Sequence, residues 1–180
     1  MADQILIDII DEHLPYEIDM LRNAYSALAA TPPPTGVCKN ALIESFCVHA
    51  RSLIHFLANK PTRKDDATAS DFAAGFVTSL NLAGEPWKTI LEKLNKQAFH
   101  LTKARTIVDK FDPGVDGRTI LLEIERELHE FQRHIAPDFK HFKCQTSALS
   151  APVSAPLGAS SYPMSTTLSF PAAKTGPTGP

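Results

Sequence analysis

Apolar side chains recur every three or four positions along most of this chain, a period typical of helices that bury one face. The pattern is clearest over residues 14–28, 40–59, 86–110 and 117–135. The segment 4–10 is rich in β-branched residues, but no second convincing strand offers a partner, so we expect a helix there too. The pattern therefore predicts an all-α fold, a helical bundle of four to five helices.

Proline marks the boundaries between the predicted helices, because it lacks an N–H donor and biases the preceding residue away from the α conformation. A run of three prolines occupies 32–34, between Thr31 and Thr35, and Pro15 suits the first turn of a helix. Residues 145–180 hold six of the 14 prolines and a single charged side chain, Lys174. Such a composition does not form a packed core. We expect a bundle domain over 1–143 and a disordered tail over 144–180.

The segment 61–85 has no clear helical period and predicts a long ordered loop or a short helix around 70–78, with its phenylalanines docked on the bundle. It carries a cluster of three aspartates, Asp65, Asp66 and Asp71. The glycine and the terminal glutamate of a calcium loop are absent. A helix cap is therefore the preferred role of Asp71, and we expect no metal site.

The outer faces of the last predicted helix, 117–135, are rich in charge. They carry Glu123, Glu125, Arg126, Glu127, Glu130 and Arg133. Opposite charges three or four positions apart partly neutralise each other on a helix surface. We expect these side chains to form a solvated exterior.

The composition narrows the function classes. The chain of 180 residues has a net charge of −2. It therefore lacks the overall positive charge that favours binding to nucleic acid or an anionic membrane. Its isolated cysteines, Cys38, Cys47 and Cys144, form no CxxC pair, which fits a reducing compartment. The first residues lack the basic region of a secretory signal, and no apolar run reaches the roughly 20 residues of a membrane span. We expect a cytoplasmic protein with no cofactor.

One narrow polar stripe on the segment 40–59 is the first candidate site. Glu44, Arg51 and His55 fall within about 40° of one another on a helical wheel, with Asn40 beside them. A carboxylate, a guanidinium and an imidazole in one column could form a site or a salt-bridged outer face. His49 lies at the edge of the apolar face, where we expect a core histidine bonded to a carbonyl or an acid.

Arg105 is the second candidate, since it falls on the apolar stripe of the segment 86–110. A guanidinium there must extend to solvent or find a carboxylate partner. Glu44 is the first choice, followed by Asp71 and Asp66. Asn95, Lys96 and His100 form the other polar set of this segment. We expect Glu44 and Arg105 to join two helices, and only secondarily to line a site.

Two motifs together resemble those of small bacterial helical proteins that are in turn similar to the HEPN (higher eukaryote and prokaryote nucleotide-binding) superfamily. They read Glu44-x-Phe46-x-x-His49-x-Arg51-x-Leu53-x-x-Phe56 and Asn95-Lys96-x-x-x-His100-Leu101-Thr102-x-x-Arg105. The resemblance covers roughly residues 14–110. It implies a bundle of four to five helices, usually a dimer. Many members are metal-independent endoribonucleases, and others bind a nucleotide or RNA without cleaving it.

The catalytic signature of that superfamily is an arginine followed by a histidine, with four to six residues between them. Here the position of the arginine before His100 holds Asn95 or Lys96, and Arg51 lies one residue too close to His55. We therefore expect a non-catalytic binding module for a nucleotide or RNA, acting as a homodimer or with a protein partner.

The binding module and its catalytic alternative imply different site residues. The candidate binding residues are Glu44, Arg51, His55 and Asn95. The alternative is a metal-independent endoribonuclease of a toxin–antitoxin or defence system. In that case the resemblance implies that His100 moves the proton of a 2′-hydroxyl while Lys96 or Arg105 holds the phosphate.

Overall fold

The computed structural model describes residues 3–98 and 111–144 of the chain. The chain divides into two units, Met1–Ser147 and Ala148–Pro180, and the described residues all belong to the first. Helices dominate them, and no strand occurs among them. The predicted all-α class is confirmed. All but the first residue of the predicted tail, 144–180, lies outside the described residues.

The described α-helices follow one another in chain order. They are α1 (Gln4–Asp8), α2 (Leu14–Leu28), α3 (Gly36–Leu57), α4 (Ala69–Phe72), α5 (Trp87–Ala98) and α6 (Arg118–His134). The π-helical turns Ile9–His13 and Pro113–Gly117 precede α2 and α6, and the 3₁₀ turn Pro137–Phe139 follows α6. Helix α3 packs against α2, α5 and α6 and is the central helix. None of the described helices is both long enough and apolar enough to cross a membrane.

Helices α1 and α2 are joined by a π-helical turn. The side chain of Asp3 caps α1 by accepting a hydrogen bond from the N–H of Ile5 at 3.0 Å. In the turn, the N–H of Leu14 donates to the carbonyl of Ile9, five residues back. Such a bond inserts one extra residue into the helical turn. Pro15 lies in the first turn of α2, the position that the sequence predicts for it.

One face of α3 forms the centre of the core. The side chains of Phe46, Leu53 and Leu57 are at most 1% exposed, as the apolar period predicted. The helix begins at Gly36, ahead of the predicted start at Asn40. Its opposite side is the one available for a site.

Phenylalanine rings hold the segment 61–85 against the helices. Phe72 and Phe76 are 1% and 5% exposed, which confirms that they dock on the bundle. The ring of Phe72 lies 5.9 Å from that of Phe56, and the ring of Phe76 lies 5.7 Å from that of Phe131. Phe56 and Phe131 meet edge to face at 5.5 Å, so one aromatic cluster joins α3, α4 and α6.

Helix α6 buries its predicted apolar face and, in addition, a carboxylate. The predicted residues Ile120, Ile124, Leu128, Phe131 and Ile135, the last just after the helix end, are all buried, and so is Leu121. Glu127 is only 4% exposed, so its assignment to the solvated exterior was wrong. Its Oε2 accepts from the hydroxyl of Thr78 at 3.0 Å and from the N–H of Ser79 at 3.1 Å. The chain after Phe76 covers this part of α6, which a wheel of α6 alone does not show.

A second acid of the expected exterior, Glu125, is also largely buried. Arg22 donates to its two carboxylate oxygens from Nε at 2.6 Å and from Nη2 at 2.7 Å. The two side chains are 16% and 17% exposed. The hydrogen bond to Glu125 raises the pKa of Arg22 although burial lowers it. The two-pronged ion pair therefore ties α2 to α6 while staying charged.

Replacing Glu127 with alanine is expected to lower the free energy of unfolding by about 1–3 kcal/mol, because the Thr78 hydroxyl and the Ser79 N–H lose their acceptor. Urea unfolding measures the change. The matched control is Glu123→Ala, a half-buried glutamate of α6 that pairs with the exposed Arg126 of the same helix, with an expected change within about 0.5 kcal/mol. Equal effects of the two substitutions would contradict a structural role for the buried carboxylate.

Candidate functional site

A cleft of about 510 Å³ lies between α2, the C-terminal half of α3 and the loop 61–67. Its polar lining includes His13, Glu17, Arg51, His55, Asp65 and Asp66. Its apolar lining includes Leu14, Val48, Phe56 and Pro61. This volume falls within the range of small-molecule sites, about 300–1,000 Å³.

The end of α3 directs the chain over this cleft. Asn59 has a left-handed backbone (φ 53°), which asparagine tolerates better than most residues. The N–H groups of Asn59 and Lys60 donate to the carbonyls of Phe56 and His55 at 3.2 and 3.1 Å, the pairing of a Schellman motif. His55 Nδ1 also lies 3.0 Å from the carbonyl oxygen of Lys60. The helix end thus positions both His55 and the loop that follows.

Hydrogen bonds to aspartates order the loop 61–67. Oδ2 of Asp66 accepts from the hydroxyl and the N–H of Thr62, both at 2.7 Å, and from the N–H of Arg63 at 2.8 Å. These bonds, that of the hydroxyl first, lower the pKa of Asp66. Asp71 forms a capping box with Thr68 at the start of α4, which confirms its predicted capping role. Within the described residues no group of three or more side chains is arranged to hold a metal ion.

Glu17, which lines the α2 side of the cleft, pairs with a buried histidine of α3. Nδ1 of His49 lies 2.8 Å from Oε2 of Glu17, and His49 is 8% exposed. The ring of Tyr16 packs edge to face on the imidazole at 5.6 Å. The prediction that His49 is a core histidine bonded to an acid is confirmed. Glu17, whose side chain is 29% exposed, reaches the cleft from this support.

The electrostatic character of the cleft is mixed. Arg51 lines it as a half-buried guanidinium whose Nε is shielded from solvent. The carboxylates of Glu17, Asp65 and Asp66 line it as well. A ligand that carries an anionic end and a hydrogen-bond-donating end complements such a surface better than a polyanion does.

The cleft brings together only part of the predicted binding set. Arg51 and His55 line it, and Glu44 does not. Glu44 is exposed and acts instead on Cys47, whose thiol pKa rises to about 12 through burial first and the charge of Glu44 second. The thiol therefore stays protonated at neutral pH.

The other predicted residues belong to or follow α5. Asn95 and Lys96 are half-buried on this helix and do not line the cleft. Lys96 Nζ lies 3.5 Å from a carboxylate oxygen of Glu92, one turn earlier. His100 and Arg105 lie outside the described residues. The catalytic set and the pairing of Arg105 with Glu44 stay predictions.

Glu17 is the site residue that sequence reasoning missed. The signal was indirect: His49 was expected to bond an acid, but nothing in the spacing said which one. Glu17 lies between the core residues Leu14 and Ile18 of α2, and nothing in the sequence around it marks it as a site residue. Only the packing of α2 against α3 brings its carboxylate to the imidazole.

Comparisons of the chain with models of known protein families, with curated proteins and with solved structures give no match. The likeness to the HEPN superfamily therefore stays a prediction from the motifs. The cleft is therefore the feature of the described residues that bears on function.

Replacing Asp66 with asparagine is expected to speed hydrogen exchange of the Thr62 and Arg63 amides several-fold at neutral pH, because their charged acceptor is lost. Since the pKa of Asp66 is lowered, the wild-type protection is complete above the ordinary carboxyl pKa of about 4. It is lost as the pH falls through the lower, folded-state pKa.

Amide exchange followed by NMR measures both effects, after correction for the intrinsic pH dependence of exchange. Asp65→Asn is the control, since no hydrogen bond joins the Asp65 carboxylate to the Thr62 or Arg63 amide. Equal exchange in the two variants would rule out Asp66 as the group that orders the loop.

Proposed function

We propose that this chain is a non-catalytic, HEPN-like helical binding module whose cleft binds a mononucleotide. The observation that carries the proposal is the presence of a half-buried guanidinium, a supported carboxylate and an apolar wall around one cleft of small-molecule size. A mononucleotide has a matching set of parts: a phosphate, a base edge with N–H groups and a flat apolar face.

Arg51 is assigned to the phosphate. A guanidinium presents several N–H donors in a planar fork that matches the oxygens of a phosphate. Partial burial strengthens this attraction because the effective dielectric constant is lower than in water. His55 lies one helical turn from Arg51 on the same side of α3 and lines the same cleft, so it adds a second nitrogen group near the anion.

The base is assigned to the apolar wall. Leu14 of α2, Val48 and Phe56 of α3, and Pro61 of the loop line the cleft. Phe56 is held in place by its contacts with the rings of neighbouring phenylalanines. A fixed apolar wall favours a flat ring system, because burying its faces removes apolar surface from water.

The charges of the cleft favour a mononucleotide over RNA. Asp65 and Asp66 line it from the loop, and the chain as a whole has a net charge of −2. Binding of RNA draws most of its free energy from Lys and Arg contacts to successive phosphates. Acids beside a single guanidinium tolerate one phosphate group but oppose a chain of them.

Titration calorimetry with GMP and AMP tests the proposal. We expect saturable binding, and we expect Arg51→Met to raise Kd at least about tenfold through the loss of a charge-assisted contact. Arg51→Lys keeps the charge but loses the planar fork of donors, so its Kd should lie between those of the wild type and Arg51→Met.

Arg118→Met is the matched control for this titration, because Arg118 is exposed on α6 and outside the cleft. Circular dichroism checks that each variant is folded. Absence of binding of any mononucleotide at millimolar concentration, or equal weakening by Arg51→Met and Arg118→Met, would overturn the proposal.

The nuclease alternative is an outcome of a parallel assay. The purified chain is incubated with RNA in EDTA, and we expect no cleavage. Cleavage that is lost in a His100→Ala variant would replace the non-catalytic proposal with the metal-independent endoribonuclease.

The expectation of a homodimer rests only on the resemblance to the HEPN superfamily. We expect light scattering at high micromolar concentration to give twice the 19.7 kDa mass of the chain. A strict monomer under these conditions would remove the homodimer and leave the protein partner as the remaining form of the proposal.

A further inference from the structure

We infer that Glu17 makes the cleft selective for guanine, by accepting hydrogen bonds from the Watson–Crick edge of the base. The inference rests on the proposed mononucleotide binding and adds to it the class of base that is bound.

The carboxylate of Glu17 is held by a buried support. Its Oε2 lies 2.8 Å from Nδ1 of His49, and His49 is itself 8% exposed and packed against Tyr16. Glu17 and His49 belong to α2 and α3, which pack directly on each other. An acceptor fixed between two helices has a defined direction, so it can discriminate between donors.

The other two carboxylates of the cleft are less suited to this task. Oδ2 of Asp66 already accepts three hydrogen bonds from Thr62 and Arg63. Asp65 is exposed on the loop, where a hydrogen bond competes with water. Glu17 therefore offers the most shielded acceptor, at 29% side-chain exposure.

The chemistry of a carboxylate then selects the base. An ionised carboxylate only accepts hydrogen bonds, and each of its oxygens has two lone pairs. Guanine presents two neighbouring donors, N1–H and the 2-amino group, which match the two oxygens. Adenine and cytosine place a ring-nitrogen acceptor beside the amino group, and uracil flanks its one N–H with two carbonyls. These acceptors face the carboxylate and repel it.

His49 is a positioning residue in this scheme, since it acts on the base only through Glu17. A leucine at this position fills the site but holds no carboxylate. A glutamine keeps a side-chain N–H donor that is able to reach Glu17. His49→Gln should therefore retain the selectivity for guanine that His49→Leu loses.

Competition titrations with GMP, IMP and AMP test the inference. IMP differs from GMP only by the missing 2-amino group. We expect GMP to bind about tenfold more tightly than IMP and AMP, because each alternative leaves the carboxylate poorly paired. In Glu17→Gln the advantage of GMP over IMP should fall below about threefold, since the amide replaces one acceptor by a donor.

The matched control is Glu12→Gln, in the exposed part of the π-helical turn and outside the cleft lining; it should leave the ratio of the GMP and IMP affinities unchanged. His49→Leu should lower this ratio and His49→Gln should restore most of it. A merely structural role of His49 would weaken all three nucleotides equally and leave the ratio intact.

Failure of the inference is distinguishable from failure of the proposed function. If GMP, IMP and AMP bind equally, with an affinity that depends on Arg51, the guanine assignment is wrong and nucleotide binding stands. Competition by ribose 5-phosphate as strong as that of GMP would likewise overturn it, since no base would then be read. If none of these compounds binds, the proposed function itself is wrong.

Discussion

The packing of phenylalanine rings around Phe131 holds an irregular stretch of chain against the helices, and the cleft depends on it. Phe131 is fully buried and contacts the rings of Phe56 and Phe76 at 5.5 and 5.7 Å. Removing such a ring costs about 3–5 kcal/mol, a large share of the 5–15 kcal/mol that stabilises a typical domain. Phe56 also lines the cleft. The same contact therefore contributes to stability and fixes one wall of the candidate site.

Buried polar groups, in addition to the apolar core, fix segments of the chain against the helices. The segment that follows Phe76 has few hydrogen bonds of its own, and Glu127 supplies acceptors for the hydroxyl of Thr78 and the N–H of Ser79. The ion pair of Arg22 and Glu125 ties α2 to α6 in a similar way. Such groups are costly to bury unless they are paired. Each one consequently specifies which segment lies over which helix, in a way that apolar contacts alone do not.

The sequence predicts the helices well because their period depends only on neighbouring residues. It predicts the neighbours of a helix poorly. Glu127 was assigned to solvent because a wheel of α6 contains no information about the chain that covers it. Glu44 shows the same limit: it shares an angle with His55, but eleven residues at 1.5 Å each separate them by about 16 Å along α3. One small ligand does not span that distance. The loop 61–67 forms a wall of the cleft beside Arg51 and His55, and Glu44 lies outside the lining.

The two walls of the cleft differ in how they are held, and this bears on recognition. Arg51 and Glu17 stand on α3 and α2, whose packing fixes their separation. The wall at 61–67 is irregular and is ordered mainly by the hydrogen bonds of Asp66. Groups that must discriminate between ligands benefit from rigid support. Arg51 and Glu17 are thus the cleft residues whose support is best suited to discrimination between ligands.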